Sequence, residues 1–222
     1  MGKQWVRAQI RRDEVQTAVG SAIHWVAENR QIAGIIAGVT AGVLLLGSLF
    51  LYSSHIKQTT AWNAYSMANG YAYLGQPDMA IQKVEELNTQ YPSTAASGHA
   101  LLFAGDLLYS KGQFPQSTKF YEQLLDKGQP EKLLPFALAG LTAAQEAQNL
   151  CPEAIRTVER FLATYPDHFL APQVHAGLAR CQATMGQVDA SKATLQKIAL
   201  QYPETAWAAW AQERLKALGG GV

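Results

Sequence analysis

Charge is scarce in this sequence. Asp, Glu, Lys and Arg make up 16% of 222 residues, and the formal net charge is +1. A protein that grips phosphates carries a basic footprint, and its lack excludes nucleic acid as the main partner. Cysteine is scarcer still. Cys151 and Cys181 are the only two, they form no CxxC pair, and two thiols do not close a tetrahedral metal site. The five histidines (His24, His55, His99, His168 and His175) are scattered and form no HExxH pair. There is no GxSxG elbow, no phosphate-binding P-loop and no GxGxxG between a strand and a helix. Carboxylate neighbours such as Glu85 and Glu86 fall on a helical pattern and read as solvated. These absences point away from an enzyme: no catalytic residue, cofactor or metal site is expected.

The charge that does occur is unevenly placed. Residues 1–31 carry five cations and three anions, whereas residues 53–222 carry 13 and 14. Residues 32–52 (IAGIIAGVTAGVLLLGSLFLY) carry none. At about 1.5 Å per residue these 21 residues span roughly 30 Å, the hydrocarbon thickness of a bilayer, and only a helix satisfies its own backbone in lipid. The run is longer than a signal-peptide core and lacks a clean small-x-small site after it, so an uncleaved signal anchor is expected. Lys57 is the only cation in the 25 residues that follow, so the positive flank predicts a cytoplasmic N-terminus and a periplasmic or otherwise extracytoplasmic remainder, in a bacterial inner membrane. Ahead of the span, residues 1–31 form a basic, amphipathic segment, with Val15, Val19, Ala22, Ile23 and Val26 on one helical face. That face suits a lipid surface or a protein neighbour. Gly34, Gly38 and Gly42 make two overlapping GxxxG steps, which fit either close helix packing, including a homo-oligomer, or the ordinary glycine content of membrane helices.

Beyond a short polar connection at 53–60, the chain is periodic. Gly75, Gly112, Asn149 and Gly186 recur every 37 residues, and Tyr91-Pro92, Tyr165-Pro166 and Tyr202-Pro203 keep the same grid. A fixed period in this range marks stacked supersecondary units. Four helix pairs are predicted within residues 60–205, at about 60–94, 95–131, 132–168 and 169–205. Gly or Asn sits at each intra-pair turn, and Pro77, Pro115 and Pro152 stand at or near the start of the second helices. Four rows share phase and read as packing positions: Ala80, Ser117, Ala154 and Ser191; Leu87, Leu124, Phe161 and Ile198; Val84, Tyr121, Val158 and Leu195; Met67, Ala104, Leu141 and Leu178. A last helix over 204–218, with Ala206, Trp207, Trp210 and Leu215 on one side, reads as a cap for the open end, and 219–222 as a flexible tail.

This pattern resembles the tetratricopeptide repeat. Ala68 or Gly105, then Gly75, Ala80, Leu87 and Pro92 fill that family's small, turn, small, large and closing positions, although the period is 37 rather than 34. The resemblance implies an all-α, right-handed α-solenoid. The whole layout is similar to the ancillary SecYEG translocon subunit family, which has a short cytoplasmic N-terminus, one anchor and a periplasmic repeat domain. It implies a membrane-anchored protein-binding role near secretion or envelope assembly; a structural tether that oligomerises through its glycines is the alternative.

A solenoid presents a concave groove lined by its first helices. By phase, Trp62, Tyr65, Asn69 and Tyr73 of the first pair line it with His99, Leu102, Asp106 and Tyr109 of the second. Aromatic groove residues offer contact area at low rotamer cost, and inter-repeat packing is the competing role. Cys151 and Cys181 lie on neighbouring helices; a disulfide in an oxidising compartment and a pair of small buried residues are both open.

Overall fold

A computed structural model describes residues 19–219. Among these residues every regular element is helical. The helices are α1 (19–28), α2 (Arg30–Tyr73), α3 (Pro77–Gln90), α4 (Ala95–Ser110), α5 (Phe114–Lys127), α6 (Leu134–Ala147), α7 (Cys151–Thr164), α8 (Ala171–Thr184), α9 (Val188–Gln201) and α10 (Ala206–Ala217). A single 3-10 turn, Glu131–Leu133, leads into α6. The chain divides into two compact units, Met1–Ile56 and Lys57–Val222. The expected basic stretch at 1–18, with Val15 of the predicted amphipathic face, lies outside the described residues, as does 220–222 of the expected tail.

The first unit contains α1 and the apolar part of α2. Its large side chains lie open: Ile35 is 66% exposed, Leu44 72% and Phe50 74%. Two hydroxyls within the apolar run return to the helix backbone, Thr40 donating to the Ile36 carbonyl at 2.9 Å and Ser48 to that of Leu45 at 2.8 Å. α2 is one helix long and apolar enough to cross a membrane. The polar stretch 53–60 is helical and does not interrupt it. The reason is compositional: no Gly or Pro occurs between Gly47 and Gly70 to end the backbone ladder.

The second unit is the helix-pair stack. All four period-setting turn residues take the left-handed backbone: Gly75 at φ 74°, Gly112 at 73°, Asn149 at 59° and Gly186 at 74°. Thr94 and Thr205 cap α4 and α10, each accepting a backbone N–H at 3.3 Å from the residue three further on. The small row and the two large rows of the second helices are buried throughout, from Ala80 to Ser191, Leu87 to Ile198 and Val84 to Leu195. Each fully buried large side chain contributes roughly 1.5–3 kcal/mol. Met67 departs from its expected row: it is 51% exposed, with no helix pair before it among the described residues to cover the face. On the cap, Ala208, Ala211 and Leu215 are buried, whereas Ala206 is exposed as the first residue after Thr205.

Polar contacts repeat with the stack. Ser117 donates to the Gly105 carbonyl and Ser191 to that of Ala179, both at 2.8 Å. Thr157 donates to the Gln145 side-chain oxygen and Thr194 to that of Gln182, again at 2.8 Å. Every one of these bonds joins the two helices of a pair across 12 residues. Tyr121 is the oversized member of a row otherwise filled by Val84, Val158 and Leu195. Its ring lies against Gly105 of its own pair and Gly140 of the next, where an added Cβ would come within 2.5 Å of ring carbons. Gly140→Ala therefore forces an overpacked ring and is expected to destabilise the fold by about 1–3 kcal/mol in chemical denaturation. Adding Tyr121→Val, the residue of two sister positions, should return part of that loss; strictly additive effects would contradict this packing.

Candidate partner-binding face

The first helices of the first two pairs gather four rings. Trp62 lies 5.7 Å from Tyr65 and 5.2 Å from His99, centroid to centroid. Tyr65 lies 6.2 Å from His99 and 6.1 Å from Phe103, the last nearly edge-on at 86°. Trp62 remains 39% exposed, and Tyr65, His99 and Phe103 are half-buried. Offset and edge contacts of this kind fix the rings while leaving one surface open to a partner. Partial burial lowers the His99 pKa, which favours its neutral form within the aromatic cluster.

The other expected groove residues do different work. Asp106 accepts the hydroxyl of buried Tyr121 at 2.7 Å. Burial raises the Asp106 carboxyl, and the Tyr121 bond opposes that shift. Asn69 donates to the Tyr65 carbonyl of its own helix at 3.0 Å. Leu102 is half-buried against the core. Tyr109 packs on Phe114 at 5.3 Å, and Tyr73 is 92% exposed with no ring within the cluster. Of the eight residues, the structure brings Trp62, Tyr65 and His99 together and adds Phe103. A strict 37-residue offset from Tyr65 lands on Leu102, so the period itself concealed Phe103.

Toward the other end of the stack the first helices carry polar and aromatic groups instead. Arg180 forms a two-pronged ion pair with Glu146, one bond measuring 2.8 Å, and its guanidinium lies 5.7 Å from the Trp210 ring centroid. A cavity of about 370 Å³ adjoins these three residues. Cys151 and Cys181 are joined as a disulfide, with Cα atoms 5.1 Å apart, linking α7 to α8. At Gly34, Gly38 and Gly42 an added Cβ would meet nothing within 4 Å. No cluster of three or more His, Cys, Asp or Glu side chains suited to a metal ion occurs among the described residues.

Comparison with known proteins agrees with this geometry. Residues 147–215 match the tetratricopeptide repeat family. Two crystal structures of the nearly identical TPR-like repeats of a putative kinesin light chain from Podosopora anserina superpose with TM-scores of 0.56 and 0.55. Each is 16% identical and covers 70% of this chain and 83% of its own. The MamA RS-1 ArsTM double mutant superposes at 0.57 with 14% identity, over 72% of this chain and 88% of its own. At these identities the likeness is one of fold. No curated protein sequence matches the chain. The second unit is thus an all-helical stack of tetratricopeptide-like pairs, a fold that typically serves as a non-catalytic scaffold for binding other proteins.

Assigning Asp106 to the support of buried Tyr121 and Tyr73 to the open surface gives a direct test. Asp106→Ala leaves the Tyr121 hydroxyl without its partner and should cost about 1–3 kcal/mol in urea unfolding. Tyr73→Ala should stay within about 0.5 kcal/mol of the parent. The reverse order would contradict both placements.

Proposed function

We propose that this chain is a membrane-anchored, non-catalytic protein-binding module. Its repeat stack stands outside the cytoplasm of a bacterial cell and assists protein translocation or envelope assembly. The observation that carries the binding reading is the partly open ring cluster of Trp62, Tyr65, His99 and Phe103 on consecutive first helices. An aromatic anchor of this size, desolvated by a partner, typically supplies 2 kcal/mol or more, roughly a thirtyfold gain in affinity. Three observations support the anchor and its direction. The apolar run of α2 exposes its large side chains, as lipid contact requires. Five cations precede it and one follows within 25 residues. The Cys151–Cys181 disulfide suits an oxidising compartment.

The uncovered glycines favour a second reading, a tether that self-associates within the membrane through Gly34, Gly38 and Gly42. A photo-crosslinking residue at Asn63, which is exposed beside Trp62, separates the two in intact cells. Protein adducts from the aqueous side are expected, and Trp62→Ala should reduce them about tenfold or more. Replacing the three glycines with leucine should leave those adducts in place. Adducts indifferent to Trp62→Ala but lost with the glycine variant would overturn the binding reading in favour of the tether.

A further inference from the structure

Position 175 breaks a pattern within the stack. The same place holds Leu138 one pair earlier and Leu101 two pairs earlier, both buried. His175 is 3% exposed, and its Nδ1 has no hydrogen-bond partner. A polar ring atom buried without a partner is destabilising relative to an apolar residue of similar size. Burial, with Lys197's positive charge as the lesser cause, lowers the imidazole pKa to about 4, so the ring is neutral near pH 7. The stack thus carries a destabilising side chain at one point of a row that otherwise holds Ala64, Leu101 and Leu138. Such a local conflict marks a functional site more often than a packing solution.

His175 lines a cavity of about 550 Å³ beside the loop between α7 and α8, within the range of roughly 300–1,000 Å³ typical of ligand sites. Pro166, Phe169, Pro172 and Tyr202 supply apolar wall, and exposed Lys197 supplies a cation. Phe169 is 69% exposed, yet its ring is held 4.5 Å from that of His168. His168 is itself fixed, its Nδ1 accepting the Leu170 N–H at 3.2 Å. Asp167 adds one carboxylate to the lining beside Tyr202, whose pKa is raised by burial and then by this carboxylate, whereas Lys197 is the charge felt by His175. An anionic lipid surface calls for a cluster of basic residues, whereas one cation beside an apolar wall fits a single acidic side chain.

We propose that this cavity is a second protein-docking site, which takes one acidic side chain of a partner segment on Lys197 and His175 and its aromatic or aliphatic neighbour against Phe169, Pro166 and Pro172. It lies apart from the Trp62 cluster, and it rests on the reading of the stack as a protein-binding module.

The test uses the full chain in detergent micelles and two probes, the dipeptides N-acetyl-Glu-Phe-amide and N-acetyl-Gln-Phe-amide. Ring signals of His168 and His175 are followed by NMR during titration. Saturable shifts are expected with the Glu probe, at about tenfold higher affinity than with the Gln probe, as a charge-assisted contact gives. His175→Leu installs the residue of the sister positions. It should raise the unfolding midpoint while abolishing the His168 shifts, a combination that a purely structural histidine would not produce. Lys197→Gln should weaken the Glu probe about tenfold and leave the Gln probe unchanged. Trp62→Ala should alter none of these results, so failure here is distinct from failure of the aromatic face. No saturable shift, or parental affinity in His175→Leu, would overturn the site. Binding of 3-phenylpropionate as tight as that of the Glu dipeptide would assign the cavity to a small carboxylic acid and overturn the protein partner.

Discussion

Each helix pair in this stack leaves an apolar face that only the next pair can cover, and the rest of the repeat domain follows from that dependence. Tyr121 shows it at atomic scale. Its ring belongs to the second pair, yet the space it fills is bounded by Gly105 on one side and Gly140 of the third pair on the other. Neither glycine can gain a methyl group without moving the ring. The contact therefore sets the spacing of two first helices as firmly as any turn does. Along the stack, a continuous core runs from Ala68 to Val174, and the cap closes its far end with Ala211 and Leu215 against Leu195 and Ile198. At the near end no helix pair precedes Met67 among the described residues, and Met67 stays exposed.

Periodicity made much of this legible from residues alone. A left-handed turn residue every 37 positions is a backbone requirement, and Gly75, Gly112, Asn149 and Gly186 all meet it. Rows of small and large residues identify buried faces because a fixed period keeps each row on one side of its helix. What the period does not encode was read less well. Residues 53–60 looked like a connection because they are polar, but polarity alone does not end a helix that contains no Gly or Pro. Asp106 shared phase with groove residues, but the buried Tyr121 takes it as its hydroxyl partner, a pairing across 15 residues that row-by-row comparison does not expose. Phe103 lies one step off the grid. His175 was read only as one of five scattered histidines, and its meaning depends on burial and on the lack of a partner, which only coordinates reveal.

The two surfaces argued to meet partners differ in origin. The Trp62 cluster is built from one exposed ring and three half-buried ones, with Tyr65 and Phe103 packed on the edge of the core, which suits a contact formed and released without unfolding. The cavity at His175 is built at a small loss of stability, within the packed part of the fold. An exposed apolar helix and a helix-pair stack are joined in one chain, and the charge on either side of the apolar run supports the proposed direction. Protein binding outside the cytoplasm is the role we propose for these features together.

Native-state hydrogen exchange across α4, α5 and α6 tests the dependence of one pair on the next most directly. If the second pair and the first helix of the third are held by one shared interface around Tyr121, their slowest amides should report a common opening free energy, falling together in Gly140→Ala. Opening of α6 at a free energy more than about 2 kcal/mol below that of α4 and α5, with their protection unchanged by Gly140→Ala, would show that the pairs stand independently.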